Sequence, residues 1–232
     1  CVFIQYNQYF SSPVASMAAP PTRAVSNSND APVALPTTVS PTLSVPRLIR
    51  SEKASRMVST LPLVMVAPPA GLKTDEQVYG YYEQVANGLK GIPWVLQDYP
   101  LTLNVIFTPA VIRKIVMDSP SCVMLKHEDW PGLEKISALR GFEKDGSMRH
   151  ISILCGNNGL FLDYEMERGA DGANTGYAFP DMLCDVVRLS AAGRREQAHD
   201  LFDAHLPLLR YEQQPGVGLA ARKYILMRRG LI

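Results

Sequence analysis

Residues 121–132 read SCVMLKHEDWPG. Cys122 to Leu125 are apolar, Lys126 follows, and His127, Glu128 and Asp129 make a charged run. A short apolar run bounded by polar residues and Pro-Gly is the pattern of a strand buried on both faces. In parallel α/β folds, functional groups collect at the carboxyl ends of such strands. Lys126 is therefore expected to project into the mouth of a barrel or sheet, with Cys122 to Leu125 packed in the core.

The same unit recurs along the chain. Apolar runs ending in polar or Pro/Gly residues occur at 61–69 (LPLVMVAPP), 92–100 (IPWVLQDYP), 121–129 and 150–159 (HISILCGNNG), with GADGANTGYAF at 169–179. The first four begin about 30 residues apart, the length of a βα unit. Helical patterns lie between them. TDEQVYGYYEQVANGLK opens on Thr74 with Gln77 three residues on, a capping box. TPAVIRKIVMD has Thr108 as cap and Pro109 in the first turn, where the missing N–H costs nothing. Near-continuous apolar strands alternating with helices predict a parallel sheet covered by helices. From Pro180 onward the pattern is three consecutive helices without a strand.

The first quarter differs. All 16 glycines lie from Gly71 onward, and residues 1–60 are rich in Pro, Ser, Thr, Ala and Val. Repeated prolines exclude long helices and central strands, so residues 11–46 are expected to be irregular, with one short helix in RLIRSEKASRMVSTL. The domain expectation is thus an irregular segment 1–60 followed by a folded domain 61–232. An acid-poor, Ser- and Arg-containing leader also fits the composition of an organelle transit peptide. A first residue of cysteine reads as a fragment, a processed product or an incompletely assigned reading frame.

Charge is balanced, with 23 Lys plus Arg against 22 Asp plus Glu. This argues against nucleic acid or a polybasic membrane contact as partner. No apolar run approaches the roughly 18–20 residues of a membrane span. Cys1, Cys122, Cys155 and Cys184 are scattered without a C-x-x-C pair, which fits reduced thiols in a cytoplasmic protein better than a disulfide or zinc framework.

From about residue 61 to the end, the motifs resemble the dihydrodipicolinate synthase / N-acetylneuraminate lyase superfamily. They are VMVAPP with YGYY downstream, WVLQDYP, VMLKHED, ILCGNNGLFL, RGADGANTG and QQPGVGLAARKYIL, in that order. The resemblance implies an α/β fold, a partial (β/α)8 TIM barrel of five recognisable βα units with a C-terminal three-helix extension. It implies a class I lyase or aldolase acting on a 2-oxo acid such as pyruvate through a lysine Schiff base, with no cofactor and no metal, and a homo-oligomer. Lys126 falls on the Schiff-base lysine. Gly156 falls on a glycine whose backbone lines the substrate pocket, Asn157 follows it, and Asn174 falls near the lysine.

Two departures narrow the reading. The family's catalytic tyrosine belongs where Gln97 stands, and Tyr99, two residues on, shares its face by strand alternation. Thr102 stands where dihydrodipicolinate synthases carry a carboxylate-holding arginine, which argues against that particular synthesis. The first three barrel strands, with their Gly-Thr-Thr-Gly-Glu motif, are not recognisable.

A Schiff-base lysine attacks only as the neutral amine, and burial disfavours the charged form. The bland reading of Lys126 is a solvated strand-end lysine paired with Glu128 or Asp129. His127, Glu128 and Asp129 could instead hold a divalent cation, but three consecutive residues rarely converge on one ion. Helix N-terminal acids are the plainer expectation for them. Asn157, Asn158 and Gly159 read either as a turn presenting amides to a carboxylate or phosphate, or simply as a strand-to-helix turn. Tyr79, Tyr81 and Tyr82 read as packing or a subunit contact. The rival to the enzyme reading is a catalytically silent barrel fragment serving as an interaction module.

Overall fold

A computed structural model describes the backbone of residues 2–4 and, in full, residues 63–232. The irregular segment and short helix expected within residues 5–62 lie outside the described residues. The chain divides into two compact units, residues 1–7 with 61–232 and residues 8–60. The second unit also lies outside the described residues.

Among the described residues the first unit has six strands. They are β1 (Val2–Ile4), β2 (Val64–Val66), β3 (Trp94–Asp98), β4 (Cys122–His127), β5 (Ser152–Cys155) and β6 (Gly172–Thr175). All pairings are parallel, in the order β1-β6-β5-β4-β3-β2. Helices α1 (Asp75–Leu89), α2 (Pro100–Leu103), α3 (Pro109–Asp118), α4 (Leu133–Lys144) and α5 (Leu162–Glu167) connect successive strands. Then α6 (Pro180–Ala191), α7 (Arg195–Glu212) and α8 (Val217–Arg228) follow without a further strand.

The five strands β2 to β6 are the five βα units expected from the motifs. The sixth, β1, lies within the first sixty residues and pairs with β6, placing Val2 opposite Ala173. A parallel ladder of this kind, with two unlike edges, is a barrel wall that has not closed among the described residues.

Local chemistry explains the helix boundaries. The Thr74 hydroxyl accepts from the Gln77 N–H, and the Gln77 side chain accepts from the Thr74 N–H, which completes the capping box. The Thr108 hydroxyl accepts from the Val111 N–H at 3.1 Å, ahead of Pro109.

Alternation along the strands sorts the sheet into two faces. Leu96, Leu125, Ile153, Cys155 and Ala173 pack with Ile112, Ile115, Ile136, Leu139 and Leu183 of the helices into one core. Gln97, Lys126, Leu154 and Gly172 share the next rung and therefore the opposite face. The expectation that all of Cys122 to Leu125 is core needs correction at one position: Val123 is exposed. A register shift between Trp94 and Val95, opposite this point, sets Cys122 and Met124 against consecutive β3 residues and leaves Val123 without a partner on β3.

Tyr82 holds the β2 edge. Its ring stacks on Trp94 with centroids 5.4 Å apart and meets Phe107 edge-on, while its hydroxyl donates to the Val66 carbonyl at 3.1 Å. The packing role expected for this tyrosine is what the structure has. Replacing it with alanine opens a cavity and frees a strand carbonyl. Tyr82→Ala is expected to lose about 4 kcal/mol of stability, read by urea denaturation; a loss under about 1 kcal/mol would show that the β2 edge does not depend on this ring.

Candidate functional site

Lys126 stands one residue before the end of β4 with only 2% of its surface exposed. A buried ammonium loses its hydration and requires a partner. Glu128 supplies it: Lys126 Nζ lies 3.2 Å from Glu128 Oε2. Gln97, in register with Lys126 on β3, donates its Nε2–H to the same oxygen at 2.8 Å. Lys126, Glu128 and Gln97 thus form one compact group on the face away from the helices.

Gly156 makes room for it. The Glu128 side chain lies over Gly156, and a Cβ there would overlap Glu128 Cγ and Oε1. The glycine N–H is also held, donating to the His127 carbonyl at 2.8 Å. Glycine at this position is therefore dictated by the carboxylate that faces the lysine.

The remaining candidates lie at or just past the carboxyl ends of β3, β5 and β6. Asn174 lies on β6 two residues past Gly172, on the same sheet face, half-buried. Tyr99 sits just beyond β3 as N-cap of α2, its carbonyl accepting from the Leu103 N–H at 3.0 Å. Asn157 and Asn158 both adopt left-handed backbone in a single 3-10 turn, Asn157–Gly159, which asparagine tolerates better than most residues.

The asparagine side chains are engaged by protein. Asn157 donates to the Asp129 carbonyl at 3.3 Å. Asn158 donates to Gln213, and its Oδ1 accepts from Arg222 at 2.6 Å. Arg222 also pairs with the buried Glu212 at 2.7 Å, and Glu212 accepts the Ala178 N–H. Helices α7 and α8 thereby fasten the turn beside Gly156.

His127, Glu128 and Asp129 diverge. His127 points to the helix side, its Nδ1 3.7 Å from Asp98 Oδ2; Glu128 meets Lys126, and Asp129 meets Lys135 at 2.7 Å. Among the described residues no group of three metal-ligating side chains comes together. Nor is any described helix long and apolar enough to cross a membrane.

From the sequence Glu128 reads as a pairing partner for a solvated lysine, a metal ligand or a helix-end acid. Its role beside the lysine had one visible signal. Residues two apart on extended chain share a face, so Lys-x-Glu at a strand end places both groups together.

No family model matches the chain. A crystal structure of dihydrodipicolinate synthase from Rhodopseudomonas palustris is 70% identical, with a TM-score of 0.70, over 72% of this chain and 56% of that one. The resemblance to the dihydrodipicolinate synthase superfamily holds over the C-terminal part of the barrel. Among curated proteins, L-2-keto-3-deoxyarabonate dehydratase of Azospirillum brasilense is 28% identical over 189 residues, 78% of this chain and 57% of its own length. A 4-hydroxy-tetrahydrodipicolinate synthase of Pelodictyon phaeoclathratiforme is 24% identical over 196 residues, 82% of this chain and 62% of its own. The chain spans less than two thirds of the length of each of these relatives.

A second ionisable group lies behind the site, on the helix side. Glu165 is buried, and burial lifts its carboxyl to about 7 against the favourable influence of His127 and the Cys155 thiol. Burial likewise pushes the Cys155 thiol well above its ordinary range, with Glu165 adding to the shift. A carboxyl raised in the folded state stabilises the fold as its neutral form. That contribution is complete below the unfolded value of about 4.5 and is lost as pH rises through about 7. Glu165→Gln, which is always neutral, is expected to flatten this loss and to raise stability at pH 8 relative to wild type by about 3 kcal/mol. Urea midpoints at pH 5 and pH 8 measure it; parallel pH dependence in both proteins would show that Glu165 ionises freely.

Proposed function

We propose that the chain is a class I lyase-type protein that binds a 2-oxo acid, pyruvate or a longer 2-keto-3-deoxy acid, as an imine on Lys126. The observation that carries this reading is the buried lysine with a carboxylate 3.2 Å from its amine and a glutamine amide on that same carboxylate. A lysine in this setting can give its proton directly to Glu128 and attack as the free amine. The amine adds to the C2 carbonyl; the proton held on Glu128 goes to the carbinolamine hydroxyl, which leaves as water, so that an iminium and the Glu128 carboxylate result.

The iminium draws electrons from C3. Glu128 then removes a C3 proton to form the enamine, whose electron pair can expel a C4 hydroxyl. The carboxylic acid just formed returns its proton to that hydroxyl, so water leaves and the site returns to its starting charge. One carboxylate serves both steps because base and acid act in sequence. Gln97 holds Glu128 Oε2 during these exchanges. Gly156 and Asn174 line the pocket and Asn157 backs it, with Tyr99 at its rim.

The dehydratase chemistry named for the Azospirillum relative supports loss of water from a 2-keto-3-deoxy acid. Gln97 in place of a phenol and Thr102 in place of an arginine argue against dihydrodipicolinate synthesis, although the 70% identical structure carries that name. A second reading is a silent barrel fragment, favoured by the open strand order between β1 and β2 among the described residues.

Borohydride reduction in the presence of pyruvate, followed by digestion and mass spectrometry, separates the two. The lyase reading predicts one reduced adduct on Lys126, absent in Lys126→Ala. No adduct, or labels spread over exposed lysines, would favour the silent fragment.

A further inference from the structure

A second buried lysine, Lys135 on α4, takes no part in the chemistry above. Its Nζ lies 2.7 Å from Asp98 Oδ2 and 2.7 Å from Asp129 Oδ2. Asp98 is fully buried at the end of β3, while Asp129 is part-exposed and sits directly after Glu128. Burial works to raise the Asp129 carboxyl, but the Lys135 hydrogen bond and charge, together with the Trp130 N–H and the His127 ring, hold the group below its ordinary range.

The backbone closes the circuit. The Glu128 N–H donates to the Asp98 carbonyl at 2.8 Å. Asp98 therefore grips the segment twice, through its carbonyl on Glu128 and through its carboxylate, by way of Lys135, on Asp129. Gln97, the residue before Asp98, holds the Glu128 side chain from the opposite face. The Glu128 backbone cannot shift relative to β3 without breaking the Lys135 bridge or its own amide bond.

We propose that Lys135 and Asp129 are positioning residues, an ionic clasp on the helix side of the sheet that fixes where the Glu128 carboxylate stands on the other side. The clasp acts on Glu128 alone, because Lys126 is carried by β4 between two paired strands. It follows that the rates of proton transfer at Glu128 depend on the clasp while the amount of imine reached at equilibrium does not, a consequence that rests on the imine reading above. A misplacement on the order of 1 Å can cost roughly 10²-fold in rate.

Asp129→Ala in the full chain tests this, because it opens the clasp and leaves the buried Lys135–Asp98 pair intact. Two readouts are taken. Amide hydrogen exchange, which needs no activity, is expected to quicken at Glu128 by about tenfold or more while Leu125 stays protected. Deuterium uptake at C3 of pyruvate in heavy water is expected to fall about 10–100-fold, with borohydride trapping on Lys126 after full equilibration within about twofold of wild type. Asp129→Asn, which keeps an oxygen for Lys135, should recover most of the uptake. Unchanged exchange at Glu128 would overturn the clasp. So would uptake and trapping falling in proportion, or an Asn variant as slow as the Ala variant. Absence of trapping in the wild-type chain would sink the imine reading instead and leave the Glu128 amide to decide the clasp.

Discussion

The pairing of Lys126 with Glu128 is the constraint around which this half of the molecule is arranged. An ammonium at 2% exposure cannot stand without a counter-charge. Glu128 answers it from two residues on, where an extended chain brings side chains to one face. Several other identities follow from that choice. Gly156 must lack a side chain because the carboxylate lies against it, and Gln97 must carry an amide N–H to satisfy the same oxygen.

The parallel sheet makes such an arrangement affordable in space. One rung carries Gln97 and Lys126 on the open face, and the next carries Asp98 and His127 on the helix face. The two sets of polar groups are separated by the sheet itself and do not compete. Chemistry is placed on one side and its mechanical support on the other, joined by the short segment 128–132. Gly132, at φ 64°, lets that segment turn closely over His127 before α4 begins.

Much of this was legible in the sequence. The Thr74 and Thr108 caps, the five apolar runs and the three terminal helices rest on local patterns, and local patterns are what sequence carries openly. The place of Lys126 near the end of a buried strand is read from the apolar run before it. What escaped were long-range pairings with no local signature. Arg222 reaches Asn158 across 64 positions, and Lys135 reaches Asp98 across 37. β1 escaped because three residues, VFI, are too short to show a period. The exposure of Val123 followed from a register shift that no single strand's sequence contains.

In the mechanism proposed above, Glu128 takes the C3 proton of the Lys126 imine. Deuterium uptake at C3 of pyruvate in heavy water, compared between wild type and Glu128→Gln at neutral pH with the borohydride-trapped Lys126 adduct followed in parallel, bears on this step alone. A fall of roughly 10²-fold or more in uptake is expected in the variant, the usual cost of losing a positioned base, with the Lys126 adduct still forming. Equal uptake in the two proteins would mean that the C3 proton leaves without help from the carboxylate beside Lys126.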